Sequence, residues 1–125
     1  MSASPGILVS VSAKHIPDHP ANGPDKYAFA YHITIRNQSD ERVQLLSRYW
    51  LITDGNGKNT EVQGEGVVGK QPLIDPASEY QYTSGALIDT PVGSMQGHYE
   101  MENEDGERFR VPINIFSLSV PNAIN

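Results

Sequence analysis

Gly64-Glu65-Gly66-Val67-Val68-Gly69, with Lys70 directly after it, is the stretch whose residue types and spacing most directly suggest chemistry. A G-x-G-x-x-G run cradles phosphate groups when it follows a strand and opens a helix. Pro72 and Pro76 follow too soon for an ordinary helix. The stretch therefore reads as a glycine-rich loop on an all-β scaffold. Backbone N–H groups at Gly64, Gly66 and Gly69, aided by the Lys70 ammonium, would form a concave anion site for pyrophosphate or a nucleotide. Glu65 opposes an anion in the same loop. The plainer reading gives the glycines turns with positive φ or close packing against the scaffold.

Three other groupings carry metal-ligating types. His15, Asp18 and His19 lie close together and suit a borderline metal such as cobalt or zinc, but Pro17 and Pro20 deny them a helical presentation. Asp54, Asn56 and Glu65 mimic the first, third and twelfth positions of a calcium loop, yet Lys58 and Asn59 occupy positions that need a ligand and a glycine. Glu100, Glu102, Glu104, Asp105 and Glu107 would hold magnesium loosely or simply solvate a turn, with Arg108 and Arg110 beside them. His32 and His98 each fall on a polar strand face. Arg48 shares a face with Trp50, which suits packing or an ion pair. Ser84 and Ser94 lack the nucleophile-elbow pattern, so no catalytic set is assigned. No cofactor is expected.

The elements that must position these groups are strands. Ile7, Val9 and Val11 alternate with smaller residues. Lys14 to Lys26 reads as a loop. Tyr27, Phe29, Tyr31, Ile33 and Ile35 give one face of the clearest strand. Val43 to Thr53 is apolar on both faces, which means double coverage, a bulge or a partner chain. Asp54-Gly55-Asn56-Gly57 signals a hairpin. Short strands follow over Glu61–Gln63 and Ser78–Thr83, then a loop over Gly85–Gly93. Met95, Gly97, Tyr99 and Met101 mark another strand. Phe109, Val111, Ile113 and Ile115 form the last core face, with Pro112 placing that strand at an edge or a bulge. The tail after Leu118 reads as loose.

Seven or more short antiparallel strands and no helix predict an all-β sandwich. Trp50 in a middle strand fits an immunoglobulin-like core, and the lack of cysteine favours a fibronectin type III-like variant. The chain of 125 residues fits one domain, 1–125, with its core over about 7–118. A formal net charge of −6 argues against nucleic-acid binding and mildly favours cations or a basic partner. No signal peptide and no membrane-spanning apolar run are read, so the cytoplasm is the expected compartment.

The block Val43 to Asp54 resembles the ApaG family, also called CorD. The resemblance continues through Gly64–Gly69, Gln71-Pro72, Tyr82-Thr83-Ser84-Gly85, Thr90-Pro91 and Gly93 to Met101, and covers about Ile7 to Leu118. It implies a fibronectin III-like sandwich, no catalytic residues, and a genetic link to cobalt tolerance and magnesium efflux. It also implies proximity to an enzyme that hydrolyses dinucleoside polyphosphates, and protein binding, as in eukaryotic relatives attached to F-box and polymerase-interacting proteins. The expected function is a non-enzymatic protein-interaction module whose partner is another protein or a second copy. The alternative is a sensor of a phosphate-containing ligand or a divalent cation.

Overall fold

The computed structural model describes residues 6–121. Eight strands follow one another: β1 (Ile7–His15), β2 (Tyr27–Asn37), β3 (Val43–Asp54), β4 (Asn59–Glu65), β5 (Leu73–Ile74), β6 (Glu79–Ile88), β7 (Val92–Glu102) and β8 (Arg108–Ser119). They form two antiparallel sheets, one ordered β1-β2-β6 and the other β4-β3-β7-β8. β5 pairs with β3 at Val43 and Gln44, on the side where β4 pairs further along. At one side of the sandwich β1 lies against β8.

The alternation in β2 sends Phe29, Tyr31, Ile33 and Ile35 into the space between the sheets, where all are buried. Each such side chain contributes roughly 1.5–3 kcal/mol through the apolar surface it removes from water. Trp50 fills the centre, with the rings of Tyr31, Tyr99 and Phe116 5.4, 6.4 and 5.8 Å away in edge-on arrangements. The Tyr82 and Tyr99 hydroxyls meet across the core and tie one sheet to the other. Burial pushes both well above the ordinary phenol range.

A bulge explains the two-faced pattern of β3. Pairing with β7 shifts register between Leu45 and Ser47. Val43 and Leu45 point inward before the shift, and Trp50 is buried after it. Of the three explanations the sequence allows, the bulge accounts for both parities. A second shift, between Met95 and Gly97, changes the inward parity of β8. Val111 and Ile113 are buried, then Leu118, while Ile115 is 62% exposed. The expectation of Ile115 in the core is thus corrected. Pro112 lies on β8, an edge strand, as its missing N–H requires.

Two loop boundaries also change. Residues 85–88 are strand, and Val92 already begins β7, so the expected Gly85–Gly93 loop shrinks to a short turn. Lys14 and His15 belong to β1.

Buried Asn37 organises one end. Its Nδ2 donates to the carbonyls of Glu41 (2.8 Å) and Ile74 (2.9 Å), and its Oδ1 accepts from Ser39 N–H (3.0 Å) and Ser39 Oγ (2.6 Å). The backbone of the same residue bonds Ser78 and Ala77. One residue therefore joins the β2–β3 turn and β5 through its side chain and the approach to β6 through its backbone.

Candidate functional site

Each glycine of the 64–69 run has its own structural cause. Gly64 and Glu65 are the last residues of β4, opposite Arg48 and Ser47. Arg48 Nη1 donates to the carbonyls of Glu65 (3.3 Å) and Gly66 (3.0 Å). A Cβ at Gly64 would stand 2.7 Å from that same nitrogen. At Gly66, φ is +66°, and a Cβ would reach within 2.3 Å of the Lys70 carbonyl. Val67 and Lys70 then exchange hydrogen bonds of 2.7 and 3.0 Å. Val68 (φ +48°) and Gly69 (φ +77°) form the tip between them. Positive φ at both tip residues makes this a type I′ turn.

The amides of the loop are mostly committed. Gly66 N–H donates to Leu46, Val67 N–H to Lys70, and Lys70 N–H to Val67. An anion would be left the N–H groups of Val68 and Gly69 and the Lys70 ammonium.

Val68 is strained, because a β-branched side chain disfavours the left-handed region. Its side chain is exposed. Val68→Asn restores the preferred Asn-Gly pair and is expected to stabilise the chain by about 1 kcal/mol. The check is a raised urea midpoint at unchanged m-value.

The metal candidates do not converge. Nε2 of His15 is buried without a hydrogen-bond partner, and the ring packs on Phe29 at 5.4 Å and Tyr27 at 6.5 Å. Nδ1 of His19 accepts the Ala21 N–H at 3.0 Å, while Asp18 is exposed. Among the described residues no group of three or more histidines and carboxylates is placed to hold a metal. Asp54 spends Oδ1 on the N–H groups of Asn56 and Lys58, both at 2.9 Å, which closes the hairpin turn. The acidic β7–β8 turn is joined by residues that spacing did not reveal. Burial, then Asp105, Asp40, Glu104 and Glu107, hold the Glu41 carboxyl above the usual range.

His32 and His98 lie on different sheets. His32 bonds Thr83 Oγ1 (2.7 Å) and Gln81 Oε1 (3.0 Å). His98 stacks on Tyr49 at 5.0 Å, and burial and then Arg110 hold its imidazole below the ordinary range. Around that stack lies a shallow groove of about 600 Å³ whose lining includes Ser47, Glu65, Glu100 and Arg110. It mixes both signs of charge and selects neither.

The free edge of β6 has a different character. Among the described residues β6 pairs only with β2, so its other side presents N–H and C=O groups that no described strand takes up. The other edges are guarded. β8 carries Pro112 and a register break, β1 carries Lys14 and lies against β8, and β4 is short with Glu61 and Glu65. The ten residues of β6 include no lysine, arginine or proline, and their one charge, Glu79, stands at the first position of the strand.

A small apolar pocket of about 200 Å³ adjoins this edge, lined by Ile16, His19, Ala21, Ala28, Gly85 and Leu87 among others. Its outer wall is the turn after β1. Asn22 holds that turn together, with Nδ2 donating to the Ile16 (2.7 Å), Pro17 and His19 carbonyls and Oδ1 accepting the Ala28 N–H. The turn consequently covers Ala28, which is buried on the outer side of its sheet. Reading Gly85–Gly93 as a loop hid this surface. The one sequence signal for it is Asn22 ahead of the small residues Ala28 and Ala30.

The fold and these surfaces define a small two-sheet β-sandwich whose accessible chemistry lies on strand edges, turns and shallow pockets. Among the described residues no helix is long and apolar enough to cross a membrane. A model of the ApaG domain, DUF525, matches residues 17–103. Protein ApaG of Escherichia coli O1:K1 is 55% identical over 125 residues, covering 100% of each chain. A crystal structure described as that of an ApaA protein from Bordetella pertussis is 41% identical, with a TM-score of 0.88 over 94% of this chain and 95% of that one. The X-ray structure of structural genomics target SoR45 is 45% identical, with a TM-score of 0.89 over 97% and 92%. The chain belongs to the ApaG domain family.

Proposed function

We propose that the chain is a non-enzymatic protein-interaction module acting in the cytoplasm. The observation that carries this reading is the ten-residue edge of β6, unpaired among the described residues and, beyond Glu79 at its start, without the charges or proline that normally guard an edge. Such an edge receives strands from other proteins. The link to cobalt tolerance and magnesium efflux implied by family resemblance is then an indirect effect, transmitted through a bound partner.

Leu87, 48% exposed on this edge, provides the test. Leu87→Lys introduces a guarding charge and is expected to leave the melting temperature nearly unchanged. Affinity capture from soluble extract should recover a partner with the parent chain and lose it with the variant. Equal recovery by both chains would move the interaction to another surface. Recovery of nothing beyond the control would undermine the module itself.

The sensor alternative draws on the Val68 and Gly69 N–H groups and Lys70. Saturable amide shifts confined to this tip on adding pyrophosphate with magnesium would carry it. A formal charge of −6 works against it at long range.

A further inference from the structure

We infer that β6 takes an extended segment of a partner protein as an added strand and seats one apolar side chain of that segment in the pocket beside Gly85. The inference rests on the interaction reading and adds the chemistry of the partner.

Three features of the site specify the occupant. An unpaired strand edge is satisfied along its length by another extended backbone, whose carbonyls and N–H groups match its own spacing. That added strand would lie about 4.8 Å from β6, and its side chains would repeat on one face about every 6.7 Å. Thr83, Gly85 and Leu87 share the outer face of β6 with the pocket. A side chain of the added strand placed opposite Gly85 on that face therefore stands at the pocket mouth.

The pocket fits an apolar group. Ile16, Ala21, Ala28 and Leu87 give its walls their character, and Nδ1 of the one polar neighbour, His19, is engaged by the Ala21 N–H. The wall is also preorganised, because Asn22 fixes the turn before any ligand arrives. Gly85 keeps the mouth open, and the fold does not demand glycine there. Its φ is not positive, and a Cβ would meet only the Phe29 carbonyl at 3.4 Å, an ordinary contact.

Charge narrows the partner further. The net charge of −6 favours a neutral or basic segment over an acidic one. The occupant is thus an extended, neutral-to-basic segment with one apolar anchor.

The test uses a random peptide library displayed on phage and selected on the full chain. Selected peptides are expected to share one apolar residue among strand-forming neighbours and to shift amides along Glu79–Ile88 and Ile16–Ala21. Gly85→Val places apolar atoms in the mouth, its Cβ at ordinary contact distance from the Phe29 carbonyl, and is expected to weaken those peptides by about tenfold to a hundredfold, the worth of one buried apolar side chain. Its melting temperature and its amide spectrum outside β6 should match the parent. Peptides that shift β6 amides but bind Gly85→Val equally would overturn the pocket and leave strand addition standing. Peptides mapping to another surface would overturn this site while leaving an interaction module. Failure to enrich any peptide would overturn the inference. Concentration-dependent dimerisation protecting the same β6 amides would replace the partner segment with a second copy.

Discussion

Gly97→Ala is expected to be the most damaging single-methyl change in the chain, destabilising it by roughly 4 kcal/mol or more. A Cβ at this position would lie 1.9 Å from the Tyr49 carbonyl oxygen, 2.9 Å from its carbonyl carbon and 3.1 Å from the Trp50 Cα. All three are backbone atoms of β3, so no side-chain rotation relieves the overlap. β3 and β7 must separate where Gly97 pairs with Trp50. That shift disturbs Trp50 and the three aromatic rings around it. A domain of this size holds only about 5–15 kcal/mol in reserve, so much or all of its stability is at stake. Gly23→Ala is the matched control. A Cβ there meets nothing within 4 Å, and its φ is not positive. It should move the urea midpoint by no more than about 0.5 kcal/mol. A Gly97→Ala chain that unfolds with the parent would disprove the close approach of β7 to β3.

Asn37→Asp is expected to cost about 3 kcal/mol or more at neutral pH, despite its near-identical shape. The Asn37 amide donates to two carbonyls, and the residue is fully buried. A carboxylate cannot donate, so it would face those carbonyl oxygens with its own negative charge. The neutral acid can donate one hydrogen bond. The folded state thus favours the protonated form and raises the carboxyl pKa above its unfolded value. The sign follows: the defect is largest above the folded pKa and shrinks as pH falls through it. Urea unfolding of parent and variant across the acidic range measures this difference directly. A gap that stays constant with pH would show that the side chain does not face the Glu41 and Ile74 carbonyls.

Much of the sandwich is legible in residue order because β2 alternates without interruption from Tyr27 to Ile35. The bulges are legible only as a contradiction. Leu45 and Trp50 differ in parity yet both are buried, and no propensity says where between them the extra residue falls. The same holds for Ile113 and Leu118, which left Ile115 assigned to the wrong side. The hairpin at Asp54–Gly57 follows from local turn chemistry and forms as expected. At Gly64–Gly69 the departure from a helix-opening motif is readable from the prolines. The reasons for the individual glycines are not, since they depend on Arg48 arriving from β3 and on how the chain folds Lys70 back onto Gly66. The β6 pocket is the least legible feature. It exists only when the turn held by Asn22 settles over Ala28 and beside Gly85, residues about sixty positions apart in the chain.

The strand order has a consequence for synthesis. β2 stands between β1 and β6, but β1 precedes it directly whereas β6 begins only at Glu79. A ribosome therefore releases Phe29, Ile33 and Ile35 long before the second neighbour of their strand exists. β3 is better served, because β4 and β5 follow it immediately and occupy one of its sides. The nascent chain can complete that side of β3 early, while the β1–β2 hairpin waits with its apolar face uncovered. That interval is when premature association with other growing chains is most dangerous, and slower elongation between Asn37 and Glu79 would lengthen it.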